Sequence, residues 1–111
     1  MKRRGQDIED DGLGALAMAL ASLADGRACA AFLEDLCTPA ELEAMIDRWR
    51  VVPLLQQGMP YREIHDLTQV SVTTIGRVAR TLERGSGGYA LALKARNGAA
   101  KAGAAGRRTR R

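Results

Sequence analysis

Leu13, Leu16, Leu20 and Leu23 recur every three or four residues, the spacing that lines one face of an α-helix, so a first helix is predicted there. Residues 1–11 ahead of it are polar and charged without apolar periodicity, and a disordered amino terminus is expected. Asp25-Gly26 interrupts the pattern, and Cys29, Phe32, Leu33 and Leu36 mark a second, short helix ending near Cys37. In Thr38-Pro39-Ala40-Glu41 the threonine can accept the third amide of a helix, proline suits its first position and glutamate can reach back. A helix therefore starts at Pro39. It should run to about Gln57 with Leu42, Met45, Ile46, Trp49, Val52 and Leu54 or Leu55 as its apolar stripe and Gly58 as its stop.

Pro53 lies inside that run. Proline removes one helical hydrogen bond at a cost of about 3 kcal/mol, and a kink near Trp49 is expected. Two short helices follow, Pro60 to Leu67 and Ser71 to Arg84, the second capped by Ser71 and stopped by Gly85. Gly85-Ser86-Gly87-Gly88 reads as a turn and Tyr89 to Lys94 as a last turn or two of helix. One helical domain over residues 12–95 results, with a flexible basic tail over residues 96–111.

Composition supports an all-α helical bundle: 46% of the 111 residues are hydrophobic, yet there is only one Trp, two Tyr and one Phe. The net charge of +4 is unevenly placed, because seven cations and no acid lie from Lys94 onward, leaving −3 for the rest. Cys29 and Cys37 are too few for a disulfide framework or zinc site and read as reduced, core-packed thiols. With a single histidine, no phosphate loop and no nucleophile–base pair, neither metal, cofactor nor enzymatic activity is expected. Lys2, Arg3 and Arg4 are followed by acids rather than a signal-peptide core, and the apolar stretch Leu13–Ala24 is too short to span a bilayer. A cytoplasmic protein is the expectation.

The segment 60–84 has the organisation of a helix-turn-helix. Ile64, Leu67, Val70, Ile75, Val78 and Leu82 can close a core between crossed helices. The opposite face is polar, with Thr73, Arg77, Arg80 and Arg84 in one stripe and Ser71 and Thr74 near its amino-terminal end. Hydroxyls and arginines on such a helix can meet base edges and phosphates in a DNA major groove. The same stripe is compatible with a solvated helix face, or with a surface that docks protein and makes the molecule an interaction adaptor.

Thr38-Pro-Ala-Glu, Arg48-Trp-Arg-Val-Val-Pro-Leu-Leu-Gln-Gln-Gly58, Tyr61-Arg-Glu-Ile, Val72-Thr-Thr-Ile-Gly-Arg77 and Leu82 resemble the Trp repressor superfamily in order and spacing. The Gly87-Gly88-Tyr89 ending is similar to its YerC/YecD-type branch, and the resemblance covers roughly Leu13 to Leu93. It implies an intertwined helical homodimer acting as a transcriptional repressor on a double-stranded DNA operator. By position it implies that Tyr61, Arg62 and His65 meet phosphates while Ser71, Val72, Thr73, Thr74 and Arg77 read the groove. It also places Thr38, Arg48, Arg77 and Thr81 where tryptophan-responsive members hold their ligand, although Gly76 stands where the Trp repressor has a threonine and Thr81 where it has a serine. Two guanidiniums facing one another repel, which leaves two readings open: an amino-acid-like, carboxylate-bearing effector between them, or a pocket filled by side chains and constitutive DNA binding. Arg48 is equally readable as a surface residue pairing with Glu41 or Asp47. His65 reads as a surface or phosphate-facing residue and Trp49 as a core residue.

Overall fold

The computed structural model describes the backbone of residues 2–110 and the side chains of residues 12–99. Six helices follow in order, α1 (Lys2–Ala21), α2 (Gly26–Leu36), α3 (Pro39–Gln56), α4 (Tyr61–Thr68), α5 (Val72–Arg84) and α6 (Gly88–Arg110), with no strand among the described residues. The expected all-α class is what the chain adopts. Its contacts divide it into two units, Met1–Leu42 and Glu43–Arg111.

In the first unit, α2 is started by Asp25, whose carboxylate accepts the Ala28 amide at 3.0 Å. The next start is the capping box expected at Thr38. Its Oγ1 accepts the Glu41 amide at 3.1 Å while Glu41 Oε1 accepts the Thr38 amide at 2.8 Å. Cys29 and Cys37 are in no disulfide and are half-buried rather than enclosed. Among the described residues of this unit none is buried, and Leu13, Met18 and Leu36 are 73%, 66% and 51% exposed.

The second unit holds the buried core. Val51 and Val52 of α3, Ile64 of α4, Val70 of the turn, Ile75 and Val78 of α5 and Leu93 of α6 form one cluster, with Trp49, Leu54, Leu55, Met59, Leu82 and Tyr89 packed around it. Burying an Ile or Leu side chain contributes about 1.5–3 kcal/mol, so this cluster is what joins four helices. Two parts of the sequence pattern are corrected. Val51 is fully buried although it lies outside the predicted stripe, whereas Met45 and Ile46 within it are 37% and 46% exposed. The cluster surrounds the last turns of α3 over a wide arc, so successive valines both face it. Leu67 is 64% exposed, and Ile64 is the one described residue of α4 in the buried cluster.

α3 continues through Pro53 to Gln56. The two fully buried valines immediately before the proline hold the helix in place, so the lost hydrogen bond does not end it. Its end is a Schellman arrangement: the Gly58 amide donates to the Leu55 carbonyl at 2.9 Å and the Met59 amide to the Leu54 carbonyl at 3.1 Å. Gly58 sits at φ 82, where a side chain would be strained. α5 ends at Gly85 for a different reason, since a Cβ there would lie 2.5 Å from the Thr81 carbonyl oxygen that its own amide bonds at 2.7 Å.

α6 is longer than the expected turn or two. Alanine and lysine propagate helices well, and among the residues whose side chains are described the helix runs on through Ala99. The side chains of residues 1–11 and 100–111 lie outside the described ones, and with them the behaviour expected of the amino terminus and of most of the tail. Tyr89 is half-buried and Leu93 is 2% exposed, while Lys94 to Ala99 are exposed. Leu93→Ala should therefore cost about 2–5 kcal/mol in denaturant unfolding, whereas removing residues 96–111 should leave the melting temperature nearly unchanged.

Candidate nucleic-acid interface

The interface is built around the turn between α4 and α5, the helix pair with the most extensive mutual contact. α4 has Pro60 before its first turn and ends at Gln69, which adopts φ 66 and ψ 11. This left-handed conformation costs a non-glycine residue about 1–2 kcal/mol. Local hydrogen bonds offset it. The Gln69 amide donates to the His65 carbonyl at 2.7 Å, and its side-chain Nε2 donates to the Asp66 carbonyl at 3.1 Å. Thr68 Oγ1 donates to the Ile64 carbonyl at 2.7 Å and accepts the Val70 amide at 3.1 Å. His65 Nδ1 lies 2.8 Å from the Val70 carbonyl. A carbonyl can only accept, so Nδ1 carries a proton.

Ser71 then begins α5, its Oγ accepting the Thr74 amide at 3.1 Å and donating to Thr74 Oγ1 at 3.0 Å. The recognition candidate is thus a capped helix whose orientation is set by the fully buried Ile75 and the nearly buried Val78. Those two residues turn its other side outward: Thr73, Arg77, Arg80, Thr81 and Arg84 are all exposed, and Val72 is 51% exposed at the amino-terminal end. The four-three-four stripe of the sequence is a real surface. Ser71 and Thr74 are at its amino-terminal end, but their hydroxyls are already engaged with one another and with the helix cap.

The remaining candidates separate into two concavities. One, of about 500 Å³, is lined by Tyr61, Arg62, His65, Asp66 and Val72, and so joins the residues expected at phosphates to the start of α5. The other, of about 520 Å³, is lined by Arg77, Arg80, Thr81, Arg84 and Gly85. It unites Arg77 and Thr81 from the expected ligand set with two further arginines. Arg48 does not line it and is exposed on α3, and Thr38 uses its hydroxyl in the capping box of the first unit. Glu41, one expected partner of Arg48, directs a carboxylate oxygen to the Thr38 amide. Tyr61 also turns its ring toward Gly76, where a Cβ would lie 3.9 Å from the ring edge, so the missing side chain leaves room beside the phenol.

Two acids belong to this surface and were not anticipated. Asp66 lies four residues after Arg62 and beside His65, and Glu83 lines a third concavity with Tyr61, Gly76 and Arg80. Their signal was their spacing from the arginines, one helical turn away. From Tyr61 to Arg84 four arginines are opposed by three carboxylates, so the helix-turn-helix is only slightly cationic.

The sequence model of the Trp repressor protein family matches residues 11–97. The chain belongs to the Trp repressor family. It is 35% identical over 92 residues to the uncharacterized protein YerC of Bacillus subtilis strain 168, covering 83% of this chain and 84% of that one. A crystal structure of a candidate Trp repressor from Staphylococcus aureus superposes with a TM-score of 0.73 at 32% identity, covering 81% of this chain and 93% of the other. As a Trp repressor family member the protein is a DNA-binding regulator in kind and not an enzyme. The fold expected from its motifs is confirmed, and the family match stops short of the last fourteen residues.

Val72 and Ser71 test the exposed surface and the folding of α5 separately. Val72→Ala should change stability by less than about 0.5 kcal/mol, because the side chain is half exposed, yet weaken binding to a selected duplex. Ser71→Ala should cost about 1 kcal/mol of stability through loss of the cap, read by the denaturation midpoint.

Proposed function

We propose that the protein is a homodimeric, sequence-specific transcription regulator of the cytoplasm that represses by occupying a double-stranded DNA operator. The observation that carries this reading is the division of α5: Ile75 and Val78 are enclosed while Thr73, Arg77, Arg80 and Arg84 form one exposed stripe behind a capped amino terminus. In this reading Val72, Thr73, Thr74 and Arg77 enter the major groove, where arginine can bond guanine bidentately and a valine can touch a thymine methyl. Tyr61, Arg62 and His65, with Arg80 beside the groove, hold phosphates and set the register. The first amides of α5 have no intrahelical acceptor and add to the attraction for a phosphate.

Dimerisation is supported by the first unit, where no described residue is buried and Leu13, Met18 and Leu36 remain largely exposed. A second copy intertwined through α1 and α2 would cover these side chains and place two reading helices on one duplex. No helix among the described residues is long and apolar enough to cross a membrane.

Selection of bound sequences from random duplexes with the purified protein should recover a site of two symmetric halves, and sedimentation should show a dimer at micromolar concentration. Failure to retain any duplex at low salt would favour the protein-docking adaptor; a folded monomer would reject the dimer.

The concavity that unites Arg77 and Thr81 supports a second feature, an amino-acid-like effector whose carboxylate lies between these two residues, with Arg48 approaching from outside the concavity. Such a ligand increases DNA affinity only if it binds the operator-competent orientation of α5 better than the alternatives. Arg48→Ala should abolish the enhancement given by that amino acid and leave basal affinity unchanged. An unchanged ligand response would make Arg48 an ordinary surface residue.

A further inference from the structure

We propose that His65 is a phosphate contact that exists only in its protonated form, so that operator binding by this protein strengthens as pH falls. The inference rests on the DNA reading above and adds a control to it. It begins with the hydrogen bond between His65 Nδ1 and the Val70 carbonyl at 2.8 Å, which the neutral ring can make only as the Nδ1–H tautomer. The other nitrogen, Nε2, is then a lone-pair acceptor. A phosphate oxygen is also an acceptor, so neutral His65 offers it nothing.

Protonation changes one atom and leaves the rest in place. Nδ1–H still donates to Val70, the turn keeps its brace, and Nε2–H⁺ becomes a charge-assisted donor. The ring is half-buried, and its concavity opens beside Arg62 and next to Val72 at the start of α5, the region where a phosphate would bridge the two helices. The ionisable side chains lining that space with His65 are Tyr61, Arg62 and Asp66, all on α4, while α5 contributes only Val72. Arg62 favours an anion there and Asp66 opposes it.

The charge balance makes one proton matter. Four arginines against three carboxylates between Tyr61 and Arg84 leave a single net positive charge with His65 neutral, and protonation doubles it. Phosphate binding in turn favours the protonated ring, so association takes up a proton at each His65 and affinity rises as pH falls.

The test titrates the full-length protein with a selected duplex at constant ionic strength between about pH 8 and about pH 5.5, alongside melting curves. Wild-type affinity should rise about three- to tenfold on acidification. His65→Asn places an amide donor where Nδ1 stands and nothing at Nε2, and should keep the melting temperature but bind weakly at every pH. His65→Gln places its amide donor near Nε2, and should bind independently of pH with part of the acid-form affinity restored, at some cost in melting temperature. Asp66→Asn should tighten binding throughout and retain the pH slope; a slope lost there would mean that His65 pairs with Asp66 and overturns the proposal. A pH slope that survives in His65→Asn overturns it while leaving the DNA reading intact. Absence of duplex binding by the wild type at either pH and low salt removes both.

Discussion

Ile64 and Ile75 are the point on which the candidate interface depends, because both lose all exposure only when α4 and α5 cross at a fixed separation. A short helix of eight residues has little stability in isolation, and an orientation for α5 exists only through this contact and its extension to Val51, Val52, Val78 and Leu93. The same contact determines what is left outside. Burying positions 75 and 78 turns 73, 77, 80 and 84 outward, so the hydrophobic packing of α5 and its cationic surface are one geometric fact.

The turn between the two helices is strained at Gln69 and held by side chains rather than by glycine. Thr68 and His65 bond backbone groups that the turn would otherwise leave unpaired, and Gln69 adds a bond to the Asp66 carbonyl. This dependence on polar side chains couples the reading head to chemistry in a way that a glycine turn would not. His65 braces the turn through Nδ1, and its side chain also lines the concavity at the start of α5.

Much was legible along the chain. Apolar spacing, the Thr38 and Ser71 caps, the breaks at Asp25-Gly26, Gly58 and Gly85 and the two helices of the reading head all correspond to elements of the structure, because caps and periodicity act over four residues or fewer and can be read from neighbours. The stripe of Thr73, Arg77, Arg80 and Arg84 was legible for the same reason: once α5 is a helix, its angular order is determined.

What sequence alone determined was therefore local: where helices begin and end, which face of each is apolar, and the ordered motifs that carry the family. Tertiary structure alone decided which apolar residues are enclosed, withdrawing Leu67 from the core and adding Val51. It also decided that Arg77 and Thr81 share a concavity with Arg80 and Arg84 but not Arg48, and that a half-buried His65 bonds Val70. The reason is that periodicity defines directions around one helix axis, whereas burial and hydrogen bonding depend on distances between axes, which no stretch of sequence contains until the helices have packed.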